Sequence, residues 1–400
     1  MSRVLYVYQG DWPRNATRVL KQTRALAEAG HEVRLLSGNP RGEPRRGCED
    51  WMEIERVPRL GPYALNRVLS FPVFANPLWI HWIRRAAQEF RAEAMIVRDL
   101  PLAPAALVIG RAFGIPVHYE MADVYPVAMR ANRADHPGVL SRLTRNPAVA
   151  EHLDRFVIRG AASVFVVSEE SRQRCIAFGA QPDAVVIVGN TPASLPASGE
   201  ALPPPPDIAD WAGRPIVLFV GNLLADRGLT QAVDAVGIVR NAIPEIALVI
   251  VGDGREYHAL ADHIAAVGLQ DNARLVGWKG APEHAAYYQQ AAIGILPFLS
   301  TEHINITLAN KLFDYMGAGL PIIGTDGPPM RRVLQETGAG VLVPAGDAGA
   351  LAAAIIGLIG APSRRRELGE RGRAAVTGVY AWDNDRARFL NAINRAKARH

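Results

Sequence analysis

Lys311 and Asp314 stand three residues apart in Thr307-Leu-Ala-Asn-Lys-Leu-Phe-Asp-Tyr-Met-Gly-Ala-Gly-Leu-Pro-Ile-Ile323, a spacing that puts both side chains on one face of a helix. The cation there can neutralise a phosphate while the carboxylate accepts hydrogen bonds from ribose hydroxyls. An ordinary surface ion pair is the plainer reading of the same spacing. Gly317 and Gly319 are expected to break the helix ahead of a buried strand. A second candidate is Val220-Gly-Asn-Leu-Leu-Ala-Asp-Arg227-Gly228. A glycine-punctuated turn that opens a helix presents backbone N–H groups and the positive end of the helix dipole, which suits a phosphate. Arg227 would add a full charge and a bidentate fork. An arginine before a helix is also often merely solvated, so this turn alone leaves both readings open.

These residues need a scaffold, and the hydrophobic pattern supplies one. Arg3-Val-Leu-Tyr-Val-Tyr8 reads as a strand stopped by Gly10, Thr17–Ala29 as an amphipathic helix closed by Gly30, and His31–Leu36 as the next strand. Strand, helix and strand in so short a span form a βαβ unit and imply a parallel sheet. Strands at Ala94–Val97, Pro116–Tyr119, Ser163–Val167 and Val185–Val188, with a helix at Ala105–Phe113, complete a first doubly wound domain over 1–191. Residues 192–215 lack periodicity and are rich in Pro, Ser, Ala and Gly, as a connector is. The pattern restarts at Ile216–Val220 and continues through a helix at Gly228–Arg240 and strands at Ala247–Val251, Arg274–Val276, Ile293–Leu296 and Pro321–Gly324. A second domain is therefore expected over 216–380, with a terminal helix over 381–400. Ligands of such sheets sit beyond the carboxyl ends of the strands, here between the two domains.

Bulk properties exclude several classes. The chain has 400 residues, more than one core usually holds. With 49% hydrophobic and 21% charged residues it has an ordinary globular composition. Cys48 and Cys175 make neither a disulfide framework nor a zinc spacing, so a reduced cytosolic setting is expected. No signal peptide or spanning segment is read in the sequence. Residues 1–190 hold 25 Lys/Arg against 19 Asp/Glu, whereas the remainder hold 19 against 20. A basic first half suggests an anionic partner, either a phosphate-bearing acceptor or a membrane surface; a solvated arginine-rich surface explains it equally. No motif supports nucleic acid binding, and no Gly-x-Gly-x-x-Gly follows the first strand of either half.

Taken together, the motifs resemble the family-4 retaining glycosyltransferases of GT-B fold (glycosyl transferases group 1) over nearly the whole chain. The matching pieces are the Gly10 loop, Val220-Gly221…Arg227-Gly228, Val251-Gly-Asp-Gly254, Val276-Gly277 with Tyr287/Tyr288, Asn310-Lys311-Leu-Phe-Asp314-Tyr315-Met316…Gly319-Leu-Pro321, and Trp382 before the terminal helix. The resemblance implies two Rossmann-like domains facing each other across a cleft, with the terminal helix packing back on the first. It implies that Arg227 takes the place of the family's phosphate-binding lysine, assisted by Lys311. Asp314 takes the place of the second glutamate of the Glu-x7-Glu motif, which holds the donor ribose. Gly277 and Trp278 would lie near the base, Gly10 would let a loop approach the donor phosphates, and Gly221, Asn222 and Asn310 belong to the same donor-binding set. Three positions depart from the pattern: Asn222 replaces a second phosphate-binding arginine, Ile306 replaces the first glutamate, and Ala122 stands where relatives carry a histidine, with His118 four residues too early.

The implied reaction moves a sugar from a nucleotide-diphosphate donor, UDP by default, to a sugar or lipid-linked acceptor in polysaccharide, glycolipid or glycoconjugate synthesis. It needs neither a protein nucleophile nor a metal or other cofactor. Asp123 or Glu120 would orient the acceptor or stabilise the positive sugar carbon, or else cap the loop after its strand. Asp383-Asn-Asp385 has a metal-binding form, but its place after Trp382 suits helix capping better. Residues 71–85, which include Trp79, Trp82, Arg84 and Arg85, read as a core helix with arginines at its wet end or as an interfacial helix. On the second reading the protein is cytoplasmic and peripheral at the inner membrane face. A non-catalytic nucleotide-sugar binder and a nucleotide-sugar epimerase are the rival readings.

Overall fold

The computed structural model describes residues 1–13, 16–58, 74–131, 146–193 and 202–397. The chain divides into two units, Met1–Gly189 with Asp383–His400, and Asn190–Trp382.

Unit 1 is built on eight strands: β1 (Arg3–Asp11), β2 (Glu32–Gly38), β3 (Arg46–Glu49), β4 (Met52–Arg56), β5 (Ala94–Arg98), β6 (Val117–Glu120), β7 (Ser163–Val166) and β8 (Val185–Ile187). Their order is β3-β4-β2-β1-β5-β6-β7-β8; β3 is antiparallel to β4 and the other pairings are parallel. The crossover helices start at sequence-encoded caps. Asn76 and Asn146 each precede a proline, and the amide oxygen of Asn76 receives the N–H groups of Leu78 and Trp79 at 3.0 and 3.2 Å, while that of Asn146 receives Ala148 at 2.9 Å. An asparagine N-cap followed by proline satisfies donors that the first turn leaves open and presets its backbone. The terminal helix Trp382–Lys397 belongs to this unit. Its Phe389 is fully buried with its ring 5.0 Å from that of Phe165, and Arg388 donates to the carbonyl of Ile187 at 3.1 Å.

Unit 2 carries β9 (Ile216–Val220), β10 (Ala247–Val251), β11 (Ala273–Gly277), β12 (Ala291–Leu296), β13 (Ile322–Thr325) and β14 (Gly340–Val343) in the order β11-β10-β9-β12-β13-β14, all parallel. Every residue of β9 and β10 is buried, because helices cover both faces of the sheet. That is why these strands read as unbroken apolar runs.

Two expectations need correction, and one element was not expected. Residues 192–215 are not wholly a connector: 194–201 lie outside the described residues, and Pro206–Trp211 forms a 3₁₀ helix whose Ile208 and Trp211 enter the core of unit 2. The helix bearing Lys311 runs through Gly317 and ends only at Gly319, at φ 73°, the left-handed closure that glycine adopts without a Cβ clash. The hairpin β3–β4 was unforeseen.

Candidate functional site

In unit 2 the strand order reverses between β9 and β12, the position at which open α/β sheets form their ligand crevice. The loops after β9, β10 and β11 are stitched together there by their backbones. Gly221 N–H donates to Val251 O at 2.9 Å, Leu223 N–H to Asp253 O at 3.0 Å, and Gly252 N–H to Gly277 O at 2.9 Å. Gly221 and Gly277 thus sit in one loop cluster; Asn222 is exposed on it, and Trp278 is 68% exposed at the end of β11.

Arg227 ends a 3₁₀ turn, Ala225–Arg227, immediately before the helix Leu229–Val239. Its guanidinium lies 4.9 Å from the Phe298 ring centroid and 3.5 Å from the Asp226 carboxylate, so it is held rather than loosely solvated. Burial pushes the Asp226 carboxyl up, but His303 and Arg227 outweigh this and leave it below the usual range. The turn is pressed onto the loop after β12: Leu299 N–H donates to Asp226 O at 2.9 Å, and a Cβ on Gly228 would lie 1.9 Å from Pro297 O. That loop leads to the helix Asn310–Ala318 and its two charged residues.

Lys311 and Asp314 do meet on one helix face, Nζ to Oδ2 at 2.8 Å. The ammonium also lies 3.4 Å from the Tyr288 hydroxyl and 3.4 Å from His284 Nδ1. Asn310, at the start of this helix, is exposed. Sequence reading missed His284, although Tyr288, one turn further along the short helix His284–Gln290, was already part of the recognised pattern. Burial and then the Lys311 charge hold His284 below the ordinary histidine range. Tyr288 is pushed far up, chiefly by burial and then by Asp314. At this end of unit 2 the structure therefore supplies a cation, a hydrogen-bonding carboxylate, a held guanidinium and glycine-rich backbone.

Unit 1 assigns its candidates differently. Glu120 is fully buried; one oxygen receives Arg18 Nε and the other Gln22 Nε2 at 2.6 Å. Arg18 also donates to the carbonyls of Val188 and Gly189 at 2.6 and 3.0 Å, and Tyr6 donates to Gln22 Oε1 at 2.6 Å. A carboxylate so enclosed is committed to the interior, which corrects its placement among the catalytic residues. Asp123 is only partly buried and receives the Val124 N–H at 2.8 Å, a contact within the loop after β6 that is compatible with either role expected of it. Asp99, unremarked in the sequence, follows β5 at φ 65°. Its carboxyl is pushed up to about 6 by burial, against the pull of Arg98 and with help from Asp123 and Glu120. A polar residue directly after a strand at the β1/β5 reversal was the available signal. Gly10 lies in β1, and a Cβ there would fall 2.2 Å from the Tyr8 phenol; the space over it is filled by this chain's own ring rather than open to a ligand.

The interfacial reading of 71–85 does not suit the structure. Residues 71–73 lie outside the described residues. Trp79 and Trp82 are each 6% exposed, and Arg45 and Arg85 lie 4.5 and 4.9 Å from the Trp82 ring. Arginines that precede this segment are likewise paired: Arg41 with Asp11, Arg45 with Glu55, Arg46 with Glu89 and Arg56 with Glu43; Arg59 and Arg67 lie outside the described residues. Asp383 and Asp385 stand in the first turn of their helix, Asp385 buried and paired with Arg388 at 2.5 Å. Among the described residues no three His, Cys, Asp or Glu side chains gather as a metal site, and no helix is long and apolar enough to cross a membrane.

Comparison with known proteins agrees with this geometry. Residues 16–191 match the family model for a glycosyl transferase 4-like domain and residues 214–361 that for glycosyl transferases group 1. The chain is 32% identical over 167 residues to a phosphatidyl-myo-inositol mannosyltransferase of Mycobacterium leprae, a match covering 42% of each chain. It is 23% identical over 323 residues to the 2-deoxystreptamine glucosyltransferase of Streptomyces kanamyceticus, covering 76% of this chain and 79% of that one. The chain thus spans under half of the first relative's length and about four fifths of the second's. The Anabaena protein Alr3699/HepE, solved in complex with UDP-glucose, superposes with a TM-score of 0.69 at 14% identity over 99% of this chain and 100% of that one. Two parallel α/β units, a phosphate-suited turn before the first helix of unit 2, and matches to both family models lead to one assignment: the chain belongs to the group 1 glycosyltransferases of GT-B fold.

Proposed function

We propose that the protein is a retaining glycosyltransferase that takes a sugar from a nucleotide-diphosphate donor, UDP-linked in the first instance, and places it on a hydroxyl of a sugar or lipid-linked acceptor. The observation that carries the donor side is the Lys311–Asp314 pair at 2.8 Å, set on a helix at the strand-order reversal whose incoming loop packs on the Arg227 turn. Lys311 and Arg227 would stabilise the charge that grows on the departing diphosphate, and Asp314 would receive ribose hydroxyls. Preorganised charge of this kind is the largest contribution in many enzymes. In the reaction the bond from the anomeric carbon to the diphosphate oxygen breaks while the acceptor oxygen bonds to that carbon on the same face. The hydroxyl proton passes to the departing diphosphate. The UDP-glucose complex of the Anabaena protein supports this choice of donor class, and the lipid and the hydroxylated aminocyclitol in the relatives' names support a hydroxyl acceptor.

The test is a thermal-shift screen of UDP, GDP, ADP and dTDP on the native protein, Arg227→Ala and Asp314→Ala. A ligand at 100 times its dissociation constant stabilises by about 2.7 kcal/mol. One nucleotide that shifts the native protein and neither variant supports the donor site; no shift with any of the four overturns it. The anomeric configuration of the product, read by NMR, then decides between retention and inversion.

A further inference from the structure

Lys311 is aimed by more than Asp314. An ammonium has three N–H donors and no acceptor, and three acceptors surround this one: Asp314 Oδ2 at 2.8 Å, Tyr288 Oη at 3.4 Å and His284 Nδ1 at 3.4 Å. The short contact ties the head group to its own helix, and the two longer ones limit its swing from the facing helix His284–Gln290. The imidazole is itself oriented, because its Nε2 lies 3.2 Å from the carbonyl oxygen of Lys279. A carbonyl oxygen only accepts, so Nε2 carries the proton and Nδ1 of the neutral ring presents a lone pair to Lys311. A doubly protonated ring would instead turn an N–H donor and a positive charge toward an ammonium 3.4 Å away.

We propose that His284 is a positioning residue which, as the neutral Nε2–H imidazole, holds the Lys311 ammonium in place for the donor diphosphate, so that its protonation switches donor binding off in acid. This rests on the donor-site reading above. The groups that face the ring act in opposite directions, and the net effect is against protonation. Burial and then Lys311 oppose its protonation, while Asp314, the Lys279 carbonyl and Glu283 favour it and are outweighed. The Lys279 ammonium is engaged elsewhere, by Asp207 at 2.6 Å, and Glu283 receives the Gly280 N–H at 2.7 Å.

The experiment is calorimetric binding of UDP-, GDP-, ADP- and dTDP-glucose from pH 5 to pH 8 by the native protein, His284→Asn and His284→Ala. Sugar nucleotides serve as probes because their diphosphate diester does not titrate over this range. The asparagine side chain places an amide oxygen close to the Nδ1 position and cannot ionise. The native protein should bind one donor evenly at the alkaline end and lose affinity below the ordinary histidine range, approaching about tenfold per pH unit once the ring is protonated in the free protein. His284→Asn should match it at pH 8 and lack the acid decline, and His284→Ala should bind about five- to tenfold more weakly throughout, as expected for one lost hydrogen bond. Long-range ¹⁵N–¹H spectra of the native protein should show the Nε2–H tautomer. An acid decline shared equally by the native protein and His284→Asn, or the Nδ1–H tautomer, overturns the role of His284 alone. Binding of none of the four donors at pH 8 overturns the donor-site reading, and this inference with it.

Discussion

The Tyr315 hydroxyl receives the backbone N–H of Val220 at 2.9 Å, so the last residue of β9 is bonded to the helix that carries Lys311 and Asp314. Both groups are buried, and the phenol also reaches toward Leu218 O at 3.4 Å. The ring stands over Gly294, where a Cβ would fall 2.6 Å from it. Tyr315→Phe keeps the packing and leaves the Val220 donor without this partner. A buried orphan donor costs about 1–3 kcal/mol, and in a domain of this size each kcal/mol lowers the melting midpoint by about 2–4 °C. Calorimetry should show unit 2 melting several degrees lower, with weaker donor binding alongside. An unchanged midpoint would mean that the bond contributes nothing.

Arg18 and Glu120 form a pair in which both partners are nearly inaccessible, with side-chain exposures of 7% and 0%. Removing one partner of a buried pair leaves an uncompensated charge and costs about 3–5 kcal/mol, whereas replacing both with apolar residues of similar volume is often close to neutral. Arg18→Met should therefore destabilise unit 1 severely. Arg18→Met with Glu120→Leu should recover much of the loss, although the carbonyls of Val188 and Gly189 still forfeit their donor. Urea denaturation of the single and double variants measures this. Equal losses would show that the pair is not coupled, and would reopen a role for Glu120 beyond the interior.

The parts of the fold that could be read from the sequence were those in which one element carries its own signal. The wholly apolar runs Ile216–Val220 and Ala247–Val251 are strands with those bounds. The β3–β4 hairpin escaped because β3 is Arg-Gly-Cys-Glu, largely exposed, and an edge strand needs no apolar face; the alternation of Met52 and Ile54 with Glu53 and Glu55 in β4 was the usable trace. Trp211 and Ile208 were hidden in a proline-rich stretch, where local composition outweighed two residues that close the core of unit 2. Within the site, Lys311 and Asp314 were legible because helical geometry alone brings residues three apart together. His284 was not, since its 3.4 Å approach to Lys311 joins positions 27 apart. Glu120 was misplaced for the same reason: its partner Arg18 lies 102 residues away.

Gly228 and Gly268 offer a controlled comparison. Their φ values are 63° and 65°, so alanine at either position bears the left-handed penalty, about 1–2 kcal/mol. They differ in surroundings. A Cβ on Gly268 meets nothing within 4 Å, whereas one on Gly228 would lie 1.9 Å from Pro297 O. Gly268→Ala should cost only the conformational term and leave donor binding unchanged. Gly228→Ala must push the Arg227 turn off the loop after β12, so it should cost clearly more and weaken donor binding too. Denaturation midpoints with a nucleotide titration test this; equal behaviour of the two variants would show that the close approach is readily relieved.

His118 should make unit 1 acid-sensitive. Its side chain is fully buried on β6, stacked 5.9 Å from Phe165, and neither ring nitrogen has a hydrogen-bond partner among the described residues. Burial lowers its pKa to about 3, from 6.5. The unfolded chain therefore takes up this proton first, and stability falls as pH drops from about 6.5 toward about 3, by about 1.4 kcal/mol per pH unit. Asp99 acts with the opposite sign: its carboxyl, raised to about 6 in the fold, favours the folded state as pH falls through that value. Comparing variant with native protein at each pH cancels the Asp99 contribution. His118→Leu should thus gain about 2 kcal/mol on the native protein between pH 8 and pH 5, whatever its packing cost at pH 8. Guanidinium midpoints at the two pH values supply the difference, and parallel pH dependence in the two proteins would show that His118 finds a proton-accepting route to solvent in the folded state.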